Sequence, residues 1–208
     1  LDAMQIDRPL FLGHMAGAVY AYAAAAHLGD RVRGIVSVSS AIPLTSASQF
    51  ASMSVRQRVV GLTARYAPRI LPFVIRAGIS QIDDDGGRQF LNSLYQNSPH
   101  DLRAVADLEI RDIVLSGYHF TIAQGHRAFE IDSYHVVRDW TATLSESHHR
   151  IELLHGTSDP VISLASVQDF ERKLSNRAQL TAFEETGQLV LYQKQEAVVE
   201  ALERLSSL

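Results

Sequence analysis

The run "RPLFLGHMAGAVYAYAAAAHLGDRVRGIVSVSS", residues 8 to 40, constrains the fold of this chain more than any other stretch. Leu10 to Leu12 form a short apolar segment that stops at Gly13, and an alanine-rich stretch follows to Leu28. Gly29 and Asp30 then make a turn, and Gly34 to Val38 is again short and apolar. Brief apolar runs bounded by turn residues read as buried strands of a parallel sheet. A strand, a helix and a strand in close succession make a parallel crossover unit.

From Leu44 to about His149 the pattern is helical, with no convincing strand. Val55, Val59, Leu62 and Tyr66 recur at helical spacing after a cap at Ser54 and before Pro68, which predicts a helix with one apolar face. Ser98, Pro99 and Asp101 have the order of a cap, a first helical residue and a first-turn acid. One long helix is expected through "IRDIVLSGYHFTIAQGHRAF", and "DDDGG" at Asp83 to Gly87 is the clearest turn. Strand signals return at "RIELLHG" and "AQLTAFEETG", separated by the helix-like "SVQDFERKLS". A last helix is expected in "QEAVVEALERL", with Ala197, Val198, Ala201 and Leu205 on one face. The predicted class is α/β: a mostly parallel sheet flanked by helices, formed by residues 1–43 and 150–208, with an all-helical insertion at 44–149.

Charge and composition exclude several functions. A net charge of −4 offers no clustered basic footprint for direct nucleic-acid contact. With no cysteine there are no disulfides, thiolate nucleophiles or cysteine metal sites, and a cytoplasmic location is the default expectation. The most apolar run is far shorter than the roughly 20 residues that span a bilayer, so no membrane partner is expected. "LDAMQIDRPL" has none of the three regions of a signal peptide. Opening on Leu1, in what reads as the tail of an amphipathic helix, the chain is expected to be part of something longer.

"GHMAG" has the outline of a sharp strand-to-helix turn, in which a strained central residue needs small neighbours; Gly13, Ala16 and Gly17 supply them. Here the sequence resembles the α/β-hydrolase superfamily over nearly its whole length. "FLGHMAGAVYAYAAAAHLGDRVRGIVSVSSAIP" is similar to the elbow strand, elbow helix and next strand. "LLHGTSDPVIS" is similar to the acid loop, with Asp159 at the triad carboxylate. "EETGQLVLYQKQEAVVEAL" is similar to the loop before the last helix, with Gln188 at the catalytic histidine. The helical insertion falls where these proteins carry a cap. The family builds its sheet from about eight strands and this chain resembles the last four, so the first part of the fold is missing from it and the elbow strand is left with an open edge.

The resemblance also places Met15 where the nucleophile stands. A thioether has no proton to lose, and the Gln188 carboxamide is no base near neutral pH. The triad positions Met15, Asp159 and Gln188 are therefore read as degenerate. Together with His14 they are the expected ligand-binding residues, with no catalytic residue, cofactor or metal. Ser39 and Ser40 are the nearest hydroxyls and read as turn residues. His119, His126 and His135 read as helix residues of the insertion. His148 and His149 precede a strand and point to opposite faces, unsuited to one metal.

Three functions compete. The preferred one is a catalytically inactive hydrolase-fold domain that binds a small apolar ligand as a sensor. It is similar in outline to plant gibberellin receptors, and to bacterial regulators that fuse such a domain to a LuxR-type DNA-binding domain or a cyclase. The alternatives are an active hydrolase with a non-standard site and a structural or dimerisation module. If the triad geometry persists, the Gln188 amide is expected about 2.7 to 3.2 Å from an Asp159 oxygen, or one water away.

Overall fold

A computed structural model describes residues 1–79, 82, 84–123, 125–145 and 148–207. In chain order the elements are β1 (Leu10–His14), α1 (Gly17–Leu28), β2 (Gly34–Val38), α2 (Ala47–Ala51), α3 (Val55–Tyr66), α4 (Leu71–Ile79), α5 (Arg88–Tyr95), α6 (Pro99–Ala104), α7 (Leu108–Ile122), α8 (Arg127–Val136) and α9 (Thr141–Ser145), then β3 (Arg150–Gly156), α10 (Leu164–Lys173), β4 (Ala178–Phe183), α11 (Val190–Gln193) and α12 (Gln195–Ser206). The chain divides into two compact units, Leu1–Pro43 with Asp139–Leu208, and Leu44–Arg138.

The first unit is a sheet of order β1-β2-β3-β4, every neighbouring pair parallel. Val38 stands opposite both His14 and Leu154, so the strands deliver their carboxyl ends to one edge. Helices α1 and α12 cover opposite faces. A Cβ on Gly13 would lie 2.5 Å from the Ala18 Cα of α1, whereas one on Gly34, on the other face, would lie 3.0 Å from Leu205 of α12. Beneath α12, Val36, Val38, Leu154, Val190, Val198, Ala201 and Leu205 form a buried cluster. On the α1 side Tyr22 stacks on Trp140 (5.4 Å between centroids) and meets Phe170 of α10 edge-on. Through Trp140, residues that the helical pattern assigned to the insertion pack with the sheet.

β2 and β3 are buried along nearly their whole length, as parallel strands require. The expectation of a buried β1 fails in part, since Leu12 is 41% exposed. The cause is its position: β1 pairs with β2 alone, and its other edge carries no strand of the described residues.

Among its described residues the second unit carries helices and no β-strand. Ser54 caps α3 in a reciprocal box with Gln57, and Ser98 caps α6 ahead of Pro99. The single long helix expected through Ile110 to Phe129 is two, α7 and α8. Gly125 between them has φ +80°, which no right-handed helix accommodates; Gln124 lies outside the described residues, as does Asp83 of the expected turn. The apolar stripe of α3 faces outward: Val55, Val59, Leu62 and Tyr66 are exposed, and Gly61 and Ala64 are the buried residues. No helix of the described residues is long and apolar enough to cross a membrane.

Candidate functional site

The carboxyl ends of the four strands carry the residues singled out in the sequence. Ligands of open parallel sheets bind outside these ends, where loops diverge. Met15 follows β1 directly and holds φ 49°, a left-handed conformation that an unbranched L-residue adopts at a cost of roughly 1–3 kcal/mol. Its backbone is fixed on both sides: Met15 N–H donates to Val38 C=O (3.1 Å), and Ala41 N–H donates to Met15 C=O (3.1 Å). Of the two glycines flanking the turn, only Gly13 is sterically required, because a side chain there would collide with the Ala18 backbone; a Cβ at Gly17 would meet open space.

The two bonds to Met15 force Ser39 and Ser40 into a two-residue bulge around the elbow. Ser40 Oγ bonds Ser37 Oγ, which also accepts from the Tyr22 hydroxyl (3.0 Å). Ser39 is different. It has φ 42°, it is 4% exposed, and its hydroxyl has no partner although its N–H donates to Leu154 C=O at 2.8 Å.

Asp159 is buried at the tip of the turn after β3. Its Oδ1 accepts from the N–H groups of Val161 (2.7 Å) and Ile162 (3.1 Å), and from Gln188 Nε2 at 3.5 Å. The Gln188 contact lies beyond the expected 2.7 to 3.2 Å, because the turn's own amides already hold the carboxylate. The Asp159 and Gln188 loops are joined by their main chains. Thr157 N–H donates to Phe183 C=O (2.9 Å) and Ser158 N–H to Thr186 C=O (3.0 Å). Gly156 makes this approach possible, since a Cβ there would sit 2.2 Å from the carbonyl oxygens of Thr186 and Gly187.

His14 is drawn into the same cluster. Its ring bonds the Gln188 backbone carbonyl, while its Nε2 is buried without a partner. Nδ1–H therefore donates and Nε2 carries the lone pair. Burial holds its pKa below the ordinary imidazole value, with the Gln188 bond acting in the opposite sense, so the ring is neutral at pH 7. Tyr192 packs edge-on against it at 5.6 Å. His155, on β3, is held below the ordinary value by burial and donates to Ile162 C=O (2.9 Å); its Nε2 lies 3.9 Å from Asp159 Oδ2.

His14, Asp159 and Gln188 thus meet in one hydrogen-bonded cluster, beside an elbow on which Met15 stands. The arrangement holds a carboxylate, an amide and a neutral imidazole in place. The position that would present a nucleophile carries a thioether. Elsewhere His149 bonds the Gly29 carbonyl (2.9 Å) while His148 is exposed, and His119 and His135 are exposed on the second unit. Sequence reasoning missed the strained, unpartnered state of Ser39, which it read as an ordinary turn residue. It also missed Tyr192. Neither carries a local signal.

Solved structures share this architecture. The fold is that of an α/β hydrolase. A meta-cleavage product hydrolase from Pseudomonas fluorescens superposes with a TM-score of 0.63 at 18% identity over 99% of this chain and 67% of its own. An α/β-hydrolase enzyme from a deep-sea metagenome library gives 0.60 at 13% identity, over 100% and 68%. An esterase from Rhodococcus gives 0.58 at 16%, over 100% and 69%. The chain spans about two thirds of the length of these proteins. No family model matches it, and no curated protein does.

Proposed function

We propose that this α/β-hydrolase domain binds a small, neutral, apolar ligand at the carboxyl ends of its strands and does not turn it over. One observation carries the reading: the elbow keeps its strained backbone and the Asp159 turn keeps its link to the Gln188 loop, yet neither Met15 nor Gln188 can transfer a proton. Strain of this kind persists where the surroundings enforce it and is a hallmark of binding sites. His14, Met15, Asp159 and Gln188 are the ligand-facing residues of this proposal. The buried carboxylate disfavours anionic ligands.

A regulatory role follows from the same reading. The domain would report its ligand to a DNA-binding or cyclase domain of the same polypeptide in the cytoplasm, as in the regulators it resembles. The open edge of β1, with Leu12 half in solvent, calls for one more strand beside it, the contribution of the remaining part of the fold. A thermal-shift screen of small neutral esters, ketones and lactones tests the binding claim. A ligand at about 100 times its Kd adds roughly 2.7 kcal/mol. Absence of any shift across the panel would favour a structural module.

A further inference from the structure

Residues 44–79 carry five arginines and no lysine, aspartate or glutamate, in a chain whose net charge is −4. Helix α3 is also turned inside out, whereas α4 buries Leu71, Ile75 and Ile79 in the ordinary way. On α3 the packed face consists of small residues: a Cβ on Gly61 would lie 3.4 Å from Phe50 and 3.6 Å from Val137. The large apolar residues point the other way. Val55, Val59, Leu62 and Tyr66 on α3, Ile70 in the following turn and Phe73 on α4 are all exposed, Tyr66 by 74% and Phe73 by 70%. Single exposed apolar residues are ordinary, but a run at helical spacing that continues through a turn into the next helix is a surface made for contact.

The arginines divide by role. Arg56 donates to Gly78 C=O and Ser93 Oγ (2.9 Å each), and Arg65 donates to Leu44 C=O (2.9 Å); both are used internally. Arg58, Arg69 and Arg76 form no ion pair among the described residues, and Arg69 and Arg76 are exposed. Apolar and aromatic side chains interleaved with unpaired cations, with no acid in the segment, match the chemistry of an anionic lipid surface. The rings and aliphatic chains enter the acyl boundary, and the guanidinium groups stay at headgroup level on their long stems. A second copy of α3 fits less well, because antiparallel pairing of the stripe would bring arginines together with no acid to answer them.

We propose that the α3–α4 hairpin, residues 55–76, is a peripheral docking surface for anionic membranes. The contact is interfacial and needs no spanning segment. The test is co-sedimentation of the intact protein with vesicles of phosphatidylglycerol and phosphatidylcholine in equal parts, against vesicles of phosphatidylcholine alone. The protein is expected to sediment with the anionic vesicles only, and less as salt rises. The triple variant Arg58→Gln, Arg69→Gln, Arg76→Gln should weaken partitioning about a hundredfold. Tyr66→Ser with Phe73→Ser should abolish it. Tyr66, Arg69, Phe73 and Arg76 are exposed and Arg58 is half-buried, so circular dichroism should be unchanged and Tm should move little. Equal sedimentation with both vesicle types, or insensitivity to both variants, would overturn the proposal. So would an absence of vesicle binding accompanied by a dimer that Phe73→Ser dissociates, which would reassign the surface to protein association.

Discussion

Replacing Ser39 by alanine is expected to make the protein more stable. The residue is 4% exposed and its hydroxyl has no partner, so the folded state bears the cost of desolvating that group. An unsatisfied buried hydroxyl costs about 1–3 kcal/mol, which alanine recovers while leaving a methyl group of similar bulk. The left-handed φ of 42° remains in Ser39→Ala, so the gain comes from the hydroxyl alone. Ser39→Gly also removes the left-handed penalty, about 1 kcal/mol, but the greater freedom of its unfolded chain returns a similar amount. Both variants should therefore gain about 1–2 kcal/mol. In a protein of this size each kcal/mol raises Tm by roughly 2–4 °C. Urea denaturation followed by fluorescence and circular dichroism gives the free energy, and calorimetry the Tm. A loss of more than about 1 kcal/mol in Ser39→Ala would show that the hydroxyl holds a structural partner, such as a bound water, and would refute the stored cost.

Gly156→Ala should destabilise by more than about 3 kcal/mol, because its Cβ meets two carbonyl oxygens at 2.2 Å and backbone cannot yield as a side chain does; Gly17→Ala, with open space around it, should be neutral or slightly stabilising, and the pair is read by urea midpoints. Arg204→Ala should cost about 1–2 kcal/mol by leaving the buried Glu152, bonded to it at 2.9 Å, without its counter-charge, a cost kept below that of a fully buried pair because the Arg204 side chain is half in solvent, whereas the exposed pair Arg88–Asp85 should matter little when broken. His14 and His155 titrate below their unfolded values, so the unfolded chain binds more protons as pH falls. Stability should be full above about pH 6.5 and decline below it, a slope in urea midpoint that His155→Gln reduces.

Much of the sheet was legible because each strand's boundaries are set locally. Gly34 to Val38 is an apolar run, and Arg150 to Gly156 carries strand formers around Ile151, Leu153 and Leu154; both are closed by turn residues and emerge with those bounds. The caps at Ser54 and Ser98 were legible for the same reason: a cap is satisfied within three residues. What escaped was set by contacts distant in sequence. The α3 stripe has the spacing of a buried face, but Phe50 and Val137 approach the Gly61 and Ala64 side, a choice that periodicity does not record. Trp140 belongs with the sheet because it stacks on Tyr22, more than a hundred residues earlier. At the site, the resemblance located Asp159 and Gln188 in contact. The strain at Ser39 arises from Met15 and Leu154 pulling on the exit of β2, and no local pattern encodes that.

The most direct test of the account is hydrolysis of a simple aryl ester by the wild-type protein beside the double variant Met15→Ser, Gln188→His. Loss of nucleophile and base together removes the covalent route and several orders of magnitude in rate. The wild type should match the buffer blank, while the double variant, with Asp159 still held by the Val161 and Ile162 amides, should show a trace of saturable turnover. Saturable turnover by the wild type that survives stringent purification and disappears on Met15→Ala or Ser39→Ala would contradict the claim that this site binds without reacting.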